Sequence, residues 1–414
     1  MTGFAIDLRC TAARFAAPAA AVFSVLYLLS ADDWLGVWDE TARTASTIFT
    51  VSLPLAIAAA GWDARRGVSP RSVHSAVTAP RSALAILASR WGAATAWMLL
   101  SYAVVQFTAG LLTAGRSPAI DPGWGFILVG AAAVAAHTAI GLLLGRFLPL
   151  LAVIPLSILI GYVGNAALSA TPGTPAALLT TLDDVPVTVA QRLKPAVGAV
   201  QVVWFVSLAL ALVALAALLS STRRRQRAAQ ALFGITSFAT MLSVVAVSRT
   251  DGYRVQDVVA AGPRVCSAGD VVCVWRDHGY YLATLDQTAT RMLSGLQGWT
   301  TGPRGFVENG LSHPADRAPV GGLGNDDSTP ELAQSLAYSA IAYAICRGRP
   351  GIVAPTADVE DRIRWLTARG LPDEAVGPLP GAVTAIRREP ADRQLRWFTA
   401  RIDPDSCWVG GTPP

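Results

Sequence analysis

Four cysteines carry the most specific chemistry in this sequence. Cys266, Cys273, Cys346 and Cys407 all lie in the last part of the chain, while Cys10 stands alone near the N-terminus. An even set confined to one region points to disulfides formed in an oxidising compartment. Cys266 and Cys273 enclose six residues, among them Gly269, which is enough for a tight disulfide loop and leaves Cys346 for Cys407. A bridge closing a loop of that second kind stabilises by about 4 kcal/mol on chain-entropy grounds. Four cysteines still allow three pairings. Zinc is the competing reading, but no Cys-x-x-Cys pair occurs and the nearest histidine, His278, lies five residues beyond Cys273.

Other reactive constellations are missing. His278 and His313 are the only histidines in the same region, and no His-Glu-x-x-His or Gly-x-Ser-x-Gly pattern accompanies them. Gly322-Leu323-Gly324 follows no strand pattern and reads as a flexible loop. Asp358, Glu360 and Asp361 open an expected helix, where acids complement the dipole. Lys194 is the only lysine, and it sits in Arg-Leu-Lys-Pro without the glycines of a phosphate-binding loop. The expectation is therefore a chain with no catalytic residues, metal or cofactor of its own.

What positions these residues is a membrane protein. Hydrophobic residues make up 52% and charged ones only 15%, where soluble domains carry about a quarter charged. Crossing a hydrocarbon core takes about 20 mostly apolar residues. Seven stretches qualify, at about 12–30, 45–61, 91–114, 124–146, 149–168, 198–220 and 229–248. The expected fold class is an all-α polytopic bundle of these spans over 1–248, followed by a small, mostly helical, disulfide-stabilised domain over 249–414. In that domain Leu282, Leu285, Met292, Leu293 and Leu296 recur at helical spacing. Ser328-Thr329-Pro330-Glu331 starts a helix running to about Cys346, and further helices are expected at 355–369 and 390–402.

Charge placement sets the expected orientation. Residues 1–250 carry 17 basic and 9 acidic side chains, whereas 251–414 carry 16 and 19. With the N-terminus inside, twelve arginines fall in inside loops, among them Arg9, Arg65, Arg90, Arg146 and Arg223 to Arg225. Only Arg43, Arg116, Arg192 and Lys194 fall in short outside loops, which hold most of the acids. The positive-inside rule then places the N-terminus in the cytoplasm. Seven spans deliver the cysteine-bearing domain to the extracytoplasmic side of a multi-pass plasma-membrane protein. The basic residues lie between apolar runs, so they signal topology and argue against nucleic-acid binding.

Gln106, His137, Asn165 and Gln201 are polar side chains inside spans, and His137 is the one ionisable group there that could touch a substrate. No span centre carries Asp, Glu, Lys or Arg, which argues against coupling to a proton or sodium gradient. Gly141, Gly145, Gly161 and Gly164 suit close helix approach in lipid.

The longest cytoplasmic loop, 62–90, runs from Trp62-Asp63-Ala64-Arg65-Arg66 through Arg71 and His74 to Arg81, with a short interfacial helix expected between Pro70 and Pro80. This segment, the acidic outer loop with Trp34 and Trp38, and the run Ile140-Gly141 to Pro149 with Pro155 resemble the permease subunits of actinobacterial type-2 ATP-binding-cassette (ABC) exporters. The resemblance covers residues 1–220. It implies that Trp62, Asp63, Arg65, Arg66, Arg71 and Arg81 form a coupling loop for a separate cytoplasmic ABC ATPase subunit. It also implies a homodimer or heterodimer of permease subunits and re-entrant helices within 169–197. The seventh span and the outer domain are additions to that family's six-span core. A different expectation is a non-transporting sensor or anchor whose outer domain binds a ligand or partner.

Overall fold

A computed structural model of the chain describes residues 3–31, 34–66, 82–117, 122–171, 174–181, 191–220, 227–250, 255–257, 264–294, 296, 299–312, 314–321, 323, 328–346, 352–353, 356–400 and 407–408. The chain divides into two compact units, one drawn from residues 1–256 and the other mainly from 257–414.

The first unit is a helical bundle. Its helices are α1 (Gly3–Cys10), α2 (Ala13–Leu29), α3 (Trp38–Thr50), α4 (Leu53–Arg66), α5 (Ala83–Ala114), α6 (Trp124–Phe147), α7 (Leu150–Ser169), α8 (Pro195–Ser220) and α9 (Arg227–Ser248). Helices α5 to α9 are each long and apolar enough to cross a membrane. The pairs α1–α2 and α3–α4, bent by 57° and 48°, bring the number of spans to as many as seven. Large apolar side chains remain on the surface, including Leu100, Phe107 and Leu111 on α5 and Ile235, Phe238 and Met241 on α9. Apolar surface of that extent suits hydrocarbon, not water, as its solvent.

Local chemistry explains where the helices break. Pro54 has no N–H to donate, and its ring would clash with the carbonyl of Thr50, so α3 stops there and α4 restarts at Leu53. Pro155 lies in α7 just before a π-helical turn, Leu159–Gly164. The spans also run longer than hydropathy alone indicates. Helix α5 begins eight residues before the expected 91, where the Ser82 hydroxyl accepts from the Ala85 N–H at 3.2 Å. Arg65 and Arg66 therefore end α4, and Arg90 lies in the third turn of α5, instead of in a loop.

Helix α4 lies at the centre of the unit, packing on α2, α5, α6 and α7. Its contact with α6 is made by glycines. A Cβ at Gly141 would meet the Ile57 carbonyl oxygen at 2.2 Å, and one at Gly145 would meet that of Gly61 at 2.0 Å. Two backbones spaced four residues apart on each helix thus touch directly, a small-residue packing suited to lipid.

The second unit holds a mixed four-stranded sheet that the sequence pattern did not reveal. Its strands are β1 (Arg264–Cys266), β2 (Val272–Trp275), β3 (Gly305–Glu308) and β4 (Arg317–Val320), in that spatial order. The pair β1–β2 is antiparallel, and β2–β3 and β3–β4 are parallel. Each strand has only three or four residues, and β2 and β3 are buried throughout. They lack the in–out alternation that marks a half-exposed strand. The expected helices are α10 (Leu282–Ser294), α11 (Thr329–Ile345), α12 (Ala357–Gly370) and α14 (Ala391–Thr399), with a short α13 (Gly381–Arg387) between the last two. Leu285, Met292, Phe306, Leu336, Trp365 and Phe398 form the core between sheet and helices. Strands β5 (Ile352–Val353) and β6 (Cys407–Trp408) make a separate antiparallel pair.

Candidate functional site

The sequence motif at 61–66 forms the last turn and a half of α4. Gly61 and Ala64 are buried against the bundle, while Trp62, Arg65 and Arg66 are exposed. The Arg66 guanidinium lies 5.3 Å above the Trp62 ring, a cation–π contact that orients both. Arg71 and Arg81, and the interfacial helix expected between Pro70 and Pro80, lie outside the described residues.

Asp63 does something the sequence did not announce. Its carboxylate accepts from the Thr11 hydroxyl and from the Ala12 N–H, at 2.9 and 3.0 Å to its two oxygens. Those groups sit in the bend between α1 and α2, where N–H groups at a helix start have no partner within the helix. Asp63 supplies that partner from 51 residues away. The missed companions are Asp7, Thr11 and Arg90, which with Cys10, Asp63 and Arg66 line an open cavity of about 210 Å³. Asp7 in turn accepts from Ser89, and the Trp97 indole donates to the Leu8 carbonyl at 2.9 Å, fixing α1 on α5. A signal was present in the sequence: Asp7 and Asp63 are the only acids among the arginines expected at this end.

Around this cavity positive charge accumulates. Arg65 and Arg90 lie near enough to Arg146 to act on it electrostatically, and Arg146 donates to the Ser220 hydroxyl at 2.8 Å. The result is a basic rim with one exposed indole, mounted on the α4 end. It offers charge and an aromatic face for a partner or an anionic surface.

Gln106, His137, Asn165 and Gln201 are all engaged in internal hydrogen bonds. His137 Nδ1 faces the Ala133 carbonyl at 2.8 Å, and a carbonyl only accepts, so Nδ1 carries the proton. Nε2 is then an acceptor, and it takes a hydrogen bond from the Asn165 amide at 3.1 Å. The same amide donates to the Gly161 carbonyl at 3.0 Å, and its oxygen accepts from the Thr180 hydroxyl at 2.6 Å. Gln201 donates to the Leu178 carbonyl at 2.7 Å, and Thr50 shares a hydrogen bond with Thr181. These contacts hold the short 3-10 turn Pro175–Leu179 and its flanks onto the bundle. That turn lies in the segment where re-entrant helices were expected; residues 182–190 lie outside the described residues. Gln106 donates to the Ser46 and Tyr102 hydroxyls at 2.9 and 2.8 Å. At the end of the bundle that bears α3, the buried Arg43 binds both carboxylate oxygens of Glu40, at 2.5 and 2.7 Å.

In the second unit, disulfides join Cys266 to Cys273 and Cys346 to Cys407, while Cys10 in the first unit is free and exposed. Among the described residues, the one group of metal-ligating types placed closely enough to converge is Cys266, Asp270 and Cys273. Its two sulfurs are bonded to each other, and a metal needs thiolates. His278, expected to lack companions, is buried with Glu308: its Nδ1 lies 2.6 Å from one carboxylate oxygen, and the Trp275 N–H donates to the other at 2.9 Å. Both side chains are about 95% or more enclosed, and the pair ties the turn Arg276–Tyr281 before α10 to β3. His313 lies outside the described residues.

Compared with known protein families, with curated proteins and with solved structures, the chain matches none.

Proposed function

We propose that this chain is the membrane-spanning subunit of an ATP-driven exporter of the ABC type, coupled to a separate cytoplasmic ATPase through the segment 62–90. The observation that carries this reading is the mounting of Trp62, Arg65 and Arg66. They face outward from the last turns of α4, and α4 is fastened backbone to backbone on α6. A push delivered at those side chains reaches the centre of the bundle with little loss, because glycine contacts leave no compressible side chain between the helices. The arginine-rich end is cytoplasmic by the positive-inside rule, which leaves the disulfide-bearing unit outside. Two such subunits, identical or different, would alternate between inward- and outward-open arrangements as the ATPases close and separate.

The resemblance of residues 1–220 to type-2 exporter permeases supports the same reading. A second reading, a non-transporting anchor or sensor, is favoured by one observation: Gln106, His137, Asn165 and Gln201 all spend their hydrogen-bonding groups inside the protein. Affinity purification of the full chain from its native membrane separates the two. Transport predicts a stoichiometric cassette ATPase that is lost in a Trp62→Ala/Arg65→Glu/Arg66→Glu variant still folded in the membrane. Recovery of the chain with no ATPase in either form would overturn the exporter reading.

A further inference from the structure

The two disulfides of the second unit differ in their place in the fold. Cys346–Cys407 joins the end of α11 to β6. Cys266–Cys273 lies across neighbouring strands, bridging directly opposed residues of β1 and β2 with Cα atoms 4.1 Å apart. Strand β1 is the sheet edge, with Arg264 and Val265 exposed and Cys266 half-buried, whereas Cys273 is fully buried. Two charged groups reach the buried sulfur: Arg317 Nη1 is 3.1 Å from Cys273 Sγ, and Asp270 Oδ1 is farther, at 3.8 Å. The other guanidinium nitrogen, Nη2, is held at 3.0 Å by Asp270 in the turn joining the two strands. That turn is itself tied down, with the Ser267 hydroxyl accepting from the Val272 N–H at 3.2 Å and Asp270 in the left-handed region at φ 59°.

A disulfide sulfur is a weak acceptor, so an oriented guanidinium gains little from it. A thiolate at the same place gains a charge-assisted hydrogen bond. The guanidinium, closer to the sulfur than the carboxylate that orients it, is placed to stabilise the state in which Cys273 has been released. We propose that Cys266–Cys273 is a thiol–disulfide exchange site for a dithiol substrate, with Cys266 the sulfur attacked and Cys273 the leaving group.

A substrate thiolate attacks Cys266 Sγ along the open edge of the sheet; the Cys266–Cys273 bond breaks, and Cys273 departs as a thiolate beside Arg317. The substrate's second thiol loses its proton and attacks its own sulfur in the mixed disulfide, expelling the Cys266 thiolate. The substrate is oxidised to a disulfide by two electrons, the protein bridge is reduced by two, and the two substrate protons end on the two cysteines or in solvent. Leaving-group stabilisation speeds the first step, because a thiol of lower pKa departs faster.

The test uses the full chain in detergent micelles with reduced glutathione at neutral pH, standing in for one substrate thiol. Aliquots are quenched, alkylated and mapped by mass spectrometry. The expected result is opening of Cys266–Cys273 at least about tenfold faster than Cys346–Cys407, with the glutathione adduct on Cys266 and alkylation on Cys273. Arg317→Gln should slow that opening by about tenfold and Arg317→Lys by less, with Cys346–Cys407 unaffected in both. Equal rates for the two bridges, an adduct on Cys273, or an Arg317→Gln rate equal to wild type would each overturn the proposal. Should Arg317→Gln fail to fold, the wild-type rate ratio and adduct position decide alone.

Discussion

Gly145 and Gly61 meet backbone to backbone, so closely that a Cβ on Gly145 would lie 2.0 Å from the Gly61 carbonyl oxygen. No real Cβ approaches an oxygen at that distance, and the obstacle is main chain, which cannot rotate away. Gly145→Ala must therefore separate α4 from α6 or shift both. Overpacking of this sort costs about 1–3 kcal/mol, and the larger Gly145→Leu should abolish folding. Gly234 in α9 provides the contrast, since a Cβ there meets nothing within 4 Å. Gly234→Ala should be neutral or stabilise by up to about 1 kcal/mol through helix propensity. Thermal unfolding in detergent, followed by loss of the monodisperse species, checks both substitutions.

The Asp63 carboxylate serves the α1–α2 bend, so its removal should be felt at the N-terminus and not only at the α4 tip. Asp63→Ala leaves the Ala12 N–H and the Thr11 hydroxyl without their partner, at a cost of about 1–3 kcal/mol. Asp63→Asn keeps one acceptor and should lose less. A double-mutant cycle with Thr11→Ala isolates the shared bond, with an expected coupling of about 0.5–3 kcal/mol. Additive effects would mean that Asp63 acts through its arginine neighbours alone.

How much of this was readable in advance depends on the kind of interaction. Spans such as 124–146 are legible because hydropathy sums over twenty residues, and they reappear as α6 at Trp124–Phe147. The bend at 50–53 was legible in principle from Pro54 but hidden inside an apolar run. The role of Asp63 was not legible, since its partners lie 51 and 52 residues away and nothing local pairs Thr11 with an acid. The His278–Glu308 pair was hidden for the same reason, being formed only when β3 docks beside β2. Gly61, Gly141 and Gly145 were visible as small residues, yet only the crossing of α4 and α6 reveals that they face one another. Composition reports the solvent a segment prefers, while pairing between distant side chains is a property of the fold.

The start of α11 makes a pH-dependent contribution in the second unit. Glu331 Oε2 accepts from the Ser328 N–H at 2.6 Å and from its hydroxyl at 2.7 Å, and these bonds hold the Glu331 carboxyl below its ordinary value. A depressed folded-state pKa means stability that is fully present above the unfolded carboxylate value, about 4.3, and is lost as pH falls through the folded value. Glu331→Gln should therefore be less stable than wild type at neutral pH, with the difference closing as the pH is lowered below about 4. Denaturant unfolding across that range, read on the far-ultraviolet helical signal, gives the comparison. A difference that stays constant with pH would show that the charge plays no part in the cap.

Asn165 is the joint between α7, His137 and the 175–181 segment, and its two ends have different chemistry. The amide nitrogen must donate, because both His137 Nε2 and the Gly161 carbonyl accept from it; the amide oxygen must accept, because the Thr180 hydroxyl points at it. Asn165→Ala removes all three bonds, and hydrogen bonds between membrane helices are worth about 0.6–1.7 kcal/mol each. Asn165→Asp is nearly the same size but exchanges the donor for a second acceptor, which then faces the Nε2 lone pair and the carbonyl. Aspartate should consequently be worse than alanine at neutral pH, despite filling the space better. If Asp and Ala prove equally tolerated, the proton does not reside on Nδ1 and the chain of bonds from Ala133 to Thr180 runs in a different sense.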